Sequence, residues 1–265
     1  MTTNDHVAGP ARQRDPIAAL TRLLDVLAAD PSGGMGVRGL AQRLGVPPSS
    51  IQRTLDAAEG SGLVARSPSG AWQLGWEFFR LGALAQSRRP YAEARPFLER
   101  LQKETGETAV LTVFDPARGE RMFLDSVASD FSIRFVPQLL TWLPAHAGAS
   151  SHAILAFRPR VDADRMIARG LPPLTPRTPS NASRLDRTLE AVRQRGYAIS
   201  DDEVNLGAVG IAAPLRIGED VSSSIGIILP RQRFEAADEG RLSRLVMRAA
   251  DALAETITGA SLAAP

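Results

Sequence analysis

Gly45 lies between two short helical patterns, and this spacing constrains the fold more than any other local feature of the chain. In residues 37–44, Leu40 and Leu44 share one face of a helix. Glycine directly after such a pattern is the usual left-handed end of a helix. A new apolar helical pattern begins almost at once and covers residues 49–60. Two helices joined by so short a turn pack at a fixed angle, so the pattern predicts a helix-turn-helix.

The flanking patterns extend this unit. Residues 16–27 carry apolar side chains at helical spacing, and residues 63–67 and 71–74 alternate around a turn, which is typical of a β-hairpin. The order of elements therefore predicts a winged helix-turn-helix domain over residues 16–75. In such a domain the third helix can enter the DNA major groove while the hairpin lies along the backbone.

The rest of the chain mixes helices and strands and predicts a second domain of the α+β class with an antiparallel sheet. We expect a polar arm over residues 1–15, a linker helix over 76–90 and the second domain over 91–260. The predicted helices of that domain cover residues 91–105, 149–157, 161–168, 181–195 and 236–257. Its predicted strands cover residues 107–114, 120–127, 131–136, 197–200, 209–217 and 223–229.

Composition excludes several classes of protein. Hydrophobic residues make up 44% and charged residues 23% of the 265 residues, as in an ordinary globular protein. The absence of cysteine excludes disulfides, thiolate catalysis and cysteine zinc sites. No apolar run is long enough for a membrane helix, and residues 1–15 lack the apolar core of a signal peptide, so we expect a cytoplasmic protein without membrane contact. Residues 1–90 hold 10 arginines against 7 acidic residues, which permits binding to nucleic acid.

Three stretches of the sequence resemble the IclR family of bacterial transcriptional regulators. The first matches the family's DNA-reading domain, and the other two match its effector-domain motifs. Three motifs in the right order are far more specific than a helix-turn-helix alone, and the resemblance covers nearly all of residues 16–257. The stretches are residues 40–55 with 62–66 and 72–75, residues 143–156, and residues 196–214.

The resemblance implies a fold and a set of partners. It implies an N-terminal winged helix-turn-helix domain and a C-terminal GAF-like effector-binding domain. The expected partners are a double-stranded, palindromic DNA operator, a small organic-acid effector, and further copies of the chain in a homodimer or homotetramer. We expect no metal and no cofactor.

Candidate DNA-binding side chains lie on the second and third helices and on the hairpin. Hydroxyl and free N–H groups at a helix start suit phosphate contacts. Gln52 can pair with an adenine edge, and Arg53 with a guanine edge. The candidates are Arg38, Arg43, Ser49, Ser50, Gln52, Arg53, Arg66 and Ser67.

A simpler interpretation is available for these residues: Ser49 only caps a helix, and the arginines form a solvated face. The hairpin and the family resemblance favour DNA contact for Ser50, Gln52 and Arg53, whereas they leave Arg66 open. Arg12 and Arg14 are weaker candidates for a basic arm that enters a minor groove.

The resemblance also places effector-binding positions on this sequence. By position it assigns the loop that enters the 149–157 helix, the end of one strand, and positions on the two strands that follow. Beyond the resemblance, we expect two aromatic side chains and a methionine as lining, and Arg134 as a carboxylate partner. For each lining residue alone, core packing is the simpler interpretation, and for Arg134 a surface charge. The candidates are Ala149, Ser150, Asp201, Ile211, Gly226, Ile228, Arg134 and Trp142, together with Met122 and Phe135.

Two departures from the family pattern suggest the kind of effector. Relatives that bind small carboxylates carry two serines at the positions of Gly226 and Ile228, and a Gly-Lys pair at the position of Ser151 and His152. The loss of hydroxyl groups and the gain of an isoleucine predict a more apolar pocket. We therefore expect an aromatic or partly apolar acid rather than a small sugar acid.

Enzymatic interpretations find weaker support. His146, His152 and Asp201 can be drawn with Ser150 or Ser151 as a catalytic triad, or without a serine as a zinc site. However, neither serine lies in a G-x-S-x-G motif, and no glycine-rich phosphate loop is present. We expect a regulator and not an enzyme. The alternative is a ligand-sensing or hydrolytic C-terminal domain with a vestigial DNA-binding domain.

Overall fold

The computed structural model describes residues 15–86 and 91–263. Contacts divide the chain into two units, Met1–Arg89 and Pro90–Pro265. Arg12 and Arg14 lie outside the described residues. Among the helices of the described part, none is long and apolar enough to cross a membrane.

The first unit has the predicted order of three helices and a hairpin, followed by a fourth helix. Asp15 caps the first helix, because its carboxylate accepts the Ile17 N–H at 2.9 Å. Gly45 has φ +64° and ends the second helix in the left-handed conformation, as predicted. The elements are α1 Pro16–Ala28, α2 Val37–Leu44, α3 Pro48–Gly60, β1 Val64–Arg66, β2 Trp72–Leu74 and α4 Trp76–Gln86.

A single apolar core joins the first three helices and the hairpin. Leu23, Leu40 and Leu55, one from each of the first three helices, are fully buried, and Trp72 of the hairpin closes the cluster. This packing leaves the opposite side of α3 free for other contacts.

The second unit is built on a six-stranded antiparallel sheet of order β5-β4-β3-β8-β7-β6. Its class is α+β, as predicted. The elements are α5 Ala94–Thr105, β3 Thr108–Asp115, β4 Glu120–Val127, β5 Trp142–Pro144, α6 Ala149–Leu155, α7 Arg160–Arg169, α8 Ala182–Arg195, β6 Ala198–Asp201, β7 Ala208–Ile217, β8 Asp220–Pro230 and α9 Glu239–Ala263.

The two faces of the sheet carry separate cores. Alternate residues of β3, β7 and β8 pack against α5 and α9, and this core includes Leu111, Ile211 and Ile225. The other core joins the opposite face to α6, α7 and α8, and it includes Phe114 and Ala212. We call the second face the α6 face.

Two details of the sheet differ from the sequence prediction. Residues 131–136 are not a strand, because side chains rather than a neighbouring strand bond the backbone there. The Phe135 carbonyl accepts the Thr108 hydroxyl at 2.8 Å, and the Ile133 carbonyl accepts Nη1 of Arg233 at 2.6 Å. The edge strand is instead β5, which pairs with β4.

Candidate DNA-binding face and effector site

The first two residues of α3, Pro48 and Ser49, are exposed, and the helix N-terminus has no side-chain cap among the described residues. Pro47 occupies the N-cap position, and the backbone N–H of Ser50 bonds the Pro47 carbonyl at 3.0 Å. Ser49 lies inside the helix, so it is not the cap that the simpler interpretation assigned to it. Ser49 is exposed, whereas Ser50 is half-buried and lines a small cavity beside Leu23 and Ile51.

Arg53 is the cation that α3 carries. Its side chain is exposed and makes no hydrogen bond or ion pair within the described residues. The side-chain amide of the neighbouring Gln52 donates a hydrogen bond to Asp56, one helical turn further along α3, at 2.6 Å. Gln52 must exchange this bond for any contact with a base. Arg38 and Arg43 are also exposed, on α2.

Two polar side chains of the hairpin, Arg66 and Ser67, make contacts within the first unit. The Arg66 guanidinium lies 4.3 Å from the centre of the Trp72 ring, and its Nε lies 4.0 Å from Glu59. Ser67 accepts the Ala71 N–H at 3.2 Å and bonds the Ser69 hydroxyl, so it shapes the turn. Arg66 is exposed and held in place, whereas Ser67 has a structural role of its own.

In the second unit, four of the eight effector candidates come together on the α6 face. The Ser150 carbonyl accepts the Ser224 hydroxyl at 3.0 Å, which fixes α6 over β8. Gly226 and Ile228 follow Ser224 at two-residue intervals on β8 and share this face. Ala149 lies at the start of α6 and packs against β7.

The other four candidates lie elsewhere. Ile211 is fully buried in the core formed with α5 and α9. Asp201 pairs with Arg177 at 2.8 Å and with Arg231 at 3.0 Å.

Of the last two candidates, Trp142 lies on the edge strand β5 and Arg134 lies in the segment between β4 and β5. Trp142 is directly opposite Met122, so these two side chains share the face of β4 opposite to that of Arg121. Arg134 is exposed and donates to the Phe131 carbonyl at 3.1 Å. Their placement does not bring any of the four to the α6 face.

Two residues that the sequence analysis missed hold the start of α6. The Ser200 hydroxyl accepts the Ala149 N–H at 3.0 Å, and the Glu203 carboxylate accepts the Gly148 N–H at 3.0 Å. Side-chain alternation along β6 would have selected Ser200, because it is paired with Gly210 and faces α6, whereas its neighbour Asp201 faces away.

The segment that carries Glu203 is itself anchored. The Thr178 hydroxyl donates to the Glu203 carbonyl at 2.6 Å, and the Thr175 hydroxyl donates to the Asp202 carbonyl at 2.5 Å. Asp202 has φ +58° and accepts the Gly207 N–H at 2.6 Å. Residues 202–207, which we call the cover segment, are therefore tied to the loop that precedes α8.

The two buried histidines orient the loop before α6. Nε2 of His146 donates to the Pro172 carbonyl at 2.8 Å, and Nε2 of His152 donates to the His146 carbonyl at 3.0 Å. Burial lowers the pKa of the His146 imidazole below its ordinary value, with a smaller opposing effect of the Pro172 carbonyl.

In the part of the chain that the structure describes, these histidines do not form the triad that can be drawn from the sequence. Among the described residues, neither the Ser150 nor the Ser151 hydroxyl bonds an imidazole, and the Ser151 hydroxyl is buried without a partner. Within the same residues, no group of three side chains has the arrangement of a metal site.

Arg121 is a further residue of the α6 face that the sequence analysis did not single out. It lies on β4 directly opposite Phe114, and only 3% of its surface is exposed. Its guanidinium lies 4.4 Å from the centre of the Phe123 ring, and its Nε and Nη1 atoms have no hydrogen-bond partner. The sequence signal was a charged residue at an inward position of an alternating strand.

Comparison with known proteins places these features in a family. Residues 84–255 match the C-terminal domain of the bacterial transcriptional regulator IclR. The chain is 31% identical to the HTH-type transcriptional regulator Rv1719 of Mycobacterium tuberculosis over 82% of this chain and 83% of that protein. It is 32% identical to the HTH-type transcriptional regulator BhcR of Paracoccus denitrificans over 88% of this chain and 85% of that protein.

A solved relative shows the same fold. It is an IclR homologue from Microbacterium hydrocarbonoxydans in complex with 4-hydroxybenzoate, with a TM-score of 0.74 and 23% identity. The match covers 93% of this chain and all of that one. The α+β fold with an IclR-type C-terminal domain is thereby confirmed. The names of the curated relatives are those of transcriptional regulators, which supports the expectation that the chain is not an enzyme.

Proposed function

The chain belongs to the IclR family of bacterial transcriptional regulators, and on that basis we propose that its first unit binds a specific DNA operator and its second unit an organic acid. The exposed, unpaired Arg53 on α3 is the observation that carries the DNA-binding part. A helix whose cation has no partner among the described residues is suited to a guanine edge or a phosphate.

We further propose that the operator is palindromic and is bound by a dimer. A single recognition helix contacts only a few base pairs, so specificity for one genomic site requires a second copy. Two copies related by a two-fold axis would place their α3 helices one helical turn apart along the DNA. A pair of such dimers would form the tetramer that the family resemblance implies.

The effector of the second unit is proposed to be an aromatic or partly apolar acid. The α6 face supports this chemistry, because it carries Ile228 and the aromatic rings of Phe114 and Phe123. The solved relative in complex with 4-hydroxybenzoate shows that the fold can hold an aromatic acid. The acid would change the affinity for DNA if it binds the DNA-competent and DNA-incompetent states of the chain with different affinities. The segment that joins the two units would carry this effect to the DNA-binding unit.

Selection from a random pool of double-stranded DNA by the full chain tests the operator proposal. The expected outcome is an inverted repeat whose half-site centres lie about 10 base pairs, or a multiple of this distance, apart. Recovery of sequences without symmetry would contradict binding as a dimer. Recovery of no enriched sequence would contradict specific binding altogether.

The alternative of a hydrolytic second unit is tested separately. Ser150→Ala in the full chain is expected to leave any background ester hydrolysis unchanged, because the Ser150 hydroxyl has no histidine partner among the described residues. Loss of a measurable hydrolytic activity in this variant would instead support the enzyme.

A further inference from the structure

Arg121 is a buried cation for which the described part of the chain offers no counterion. Only 3% of its surface is exposed, and no carboxylate among the described residues lies within ion-pair distance of its guanidinium. Within the described ranges 15–86 and 91–263, its Nε and Nη1 atoms have no hydrogen-bond acceptor. Burial of a charge without hydrogen bonds or a partner is strongly unfavourable. The side chain therefore has an unsatisfied capacity to bind an anion.

The charge persists at neutral pH. Burial lowers the pKa of the Arg121 guanidinium to about 10, which still leaves the group protonated near pH 7. Arg121 thus holds a positive charge inside the second unit. An exposed arginine with the same aromatic contact does not have this property: Arg216 lies 4.3 Å from the centre of the Phe157 ring and is solvated.

The surroundings of this charge are apolar on two sides and contain a free hydroxyl. Phe114 lies directly opposite Arg121 on β3, and Phe123 lies two residues further along β4. Both rings are 5% exposed. Thr112 is opposite Phe123 on the same face, and its buried hydroxyl has no hydrogen-bond partner. A cation and a hydroxyl group therefore flank two aromatic rings on one face of the sheet.

The acidic side chain of the neighbouring cover segment is already in use. Glu203 accepts the Gly148 N–H, so its carboxylate satisfies the start of α6 and not Arg121. A Cβ atom on Gly148 would lie 3.8 Å from Nη2 of Arg121 and 2.9 Å from Val204. Arg121 thus reaches the loop before α6, where the cover segment closes over it.

We propose that Arg121 binds the carboxylate of a monoanionic organic acid whose apolar body lies against Phe114 and Phe123. The guanidinium presents two adjacent N–H donors that match the two oxygens of one carboxylate. One buried positive charge neutralises one negative charge, so a dicarboxylate or a phosphate dianion would leave an uncompensated charge in the site. This inference rests on the proposed effector binding by the second unit, and it names the residue and the charge that select the effector.

The test measures the melting temperature of the full chain with four acids and with their neutral amides. The acids are benzoate, 4-hydroxybenzoate, phenylacetate and hexanoate, and sodium sulfate serves as an inorganic anion. At least one acid is expected to raise the melting temperature by several degrees, whereas its amide and sulfate do not. Failure of all four acids, or an equal rise with the amide or with sulfate, would overturn the proposal.

Three variants assign the effect to Arg121. Arg121→Met is expected to weaken binding of the stabilising acid roughly 10- to 100-fold, since it removes a charge-assisted hydrogen-bond pair. Arg121→Lys keeps the charge without the two-donor geometry and is expected to retain part of the affinity. The matched control Arg216→Met removes an exposed arginine that also stacks on phenylalanine, and is expected to bind the acid as the wild type does.

A measurement without ligand tests the premise of the proposal, the unpaired buried charge, without any choice of acid. In the absence of acid, Arg121→Met is expected to raise the melting temperature, because it replaces an unpaired buried charge by an apolar side chain of similar length. A lower melting temperature would mean that the charge is satisfied within the chain, and would overturn the proposal.

Failure of this inference can be told apart from failure of the proposed function. Operator binding is measured with and without the stabilising acid. If the acid changes DNA affinity equally in the wild type and in Arg121→Met, the regulator proposal holds and the role of Arg121 is wrong. If the acid binds through Arg121 but leaves DNA affinity unchanged, the role of Arg121 holds and the effector proposal is wrong.

Discussion

The Glu203 carboxylate accepts a hydrogen bond from the backbone N–H of Gly148 at 3.0 Å, and its Oε2 atom lies 3.5 Å from Nδ1 of His152. The chain therefore places its own carboxylate at the start of α6, which the family resemblance assigns to the effector site. An incoming acid must either displace Glu203 or bind elsewhere on the α6 face. The unpaired guanidinium of Arg121 favours the second route.

Removal of this carboxylate is expected to destabilise the second unit. Glu203→Ala leaves the buried Gly148 N–H without a partner, which costs about 1–3 kcal/mol of the free energy of unfolding. Glu203→Gln keeps an acceptor for Gly148 and adds a donor for His152, so its loss is expected to be smaller. Urea denaturation measures whether Glu203→Ala is less stable than Glu203→Gln. An alanine variant as stable as the wild type would contradict a stabilising role for the hydrogen bond between Gly148 and Glu203.

Gly226 is expected to tolerate no side chain. A Cβ atom there would lie 2.5 Å from the Ile211 carbonyl oxygen and 2.8 Å from the Ala212 methyl group. Gly226→Ala must push β7 and β8 apart, with an expected loss of about 1–3 kcal/mol or more in the free energy of unfolding.

The matched control for this substitution is Gly259→Ala on α9, where nothing lies within 4 Å of the added methyl group. That change is expected to stabilise the chain by about 0.5–1 kcal/mol. Equal stability of the two variants in urea denaturation would contradict the close approach of β7 and β8 at Gly226.

His146 is expected to make stability depend on pH in the mildly acidic range. Burial lowers the pKa of its imidazole in the folded chain, so the unfolded chain takes up a proton first as the pH falls. The contribution is complete above about pH 6.5 and is lost as the pH falls below that value.

The variant His146→Gln tests this dependence, since glutamine can still donate to the Pro172 carbonyl. Urea denaturation at several pH values is expected to show that the variant loses less stability than the wild type as the pH falls. The slopes of the free energy of unfolding against pH should differ by less than about 1.4 kcal/mol per pH unit, which is the largest slope that one proton can cause. Parallel pH profiles for the two proteins would contradict the effect of burial on His146.

Arg53 is expected to contribute directly to operator binding. Arg53→Ala should weaken binding by about 1–3 kcal/mol if the guanidinium contacts a base edge, and should lower the salt slope by about 1 if it contacts a phosphate. Arg248→Ala is the control, because it removes an exposed charge from the second unit. Unchanged affinity and salt slope in Arg53→Ala would remove Arg53 from the DNA-binding face.

Periodicity and turn chemistry predicted most of the fold. The apolar spacing and Gly45 were sufficient for the first unit, since local signals define short helices and their ends. The sheet was less predictable: residues 131–136 have the composition of a strand, but Thr108 and Arg233, which are distant in sequence, bond their carbonyl groups.

The candidate effector site was predicted only in part, because successive side chains of a strand point to opposite faces of the sheet. Position alone placed Asp201 and Ile211 at the site, although each lies one residue away from a side chain that faces α6. Arg121 gave no local signal beyond its charge, since the pairing of β3 with β4 decides what lies around it.

Fluorescence anisotropy of labelled promoter DNA from beside the chain's own gene tests the central claim most directly. The full chain is titrated at two salt concentrations in the presence of scrambled competitor DNA. The account predicts tight binding that survives the competitor and weakens as salt rises. Equal affinity for promoter and scrambled DNA, or no binding at low salt, would contradict a sequence-specific regulator.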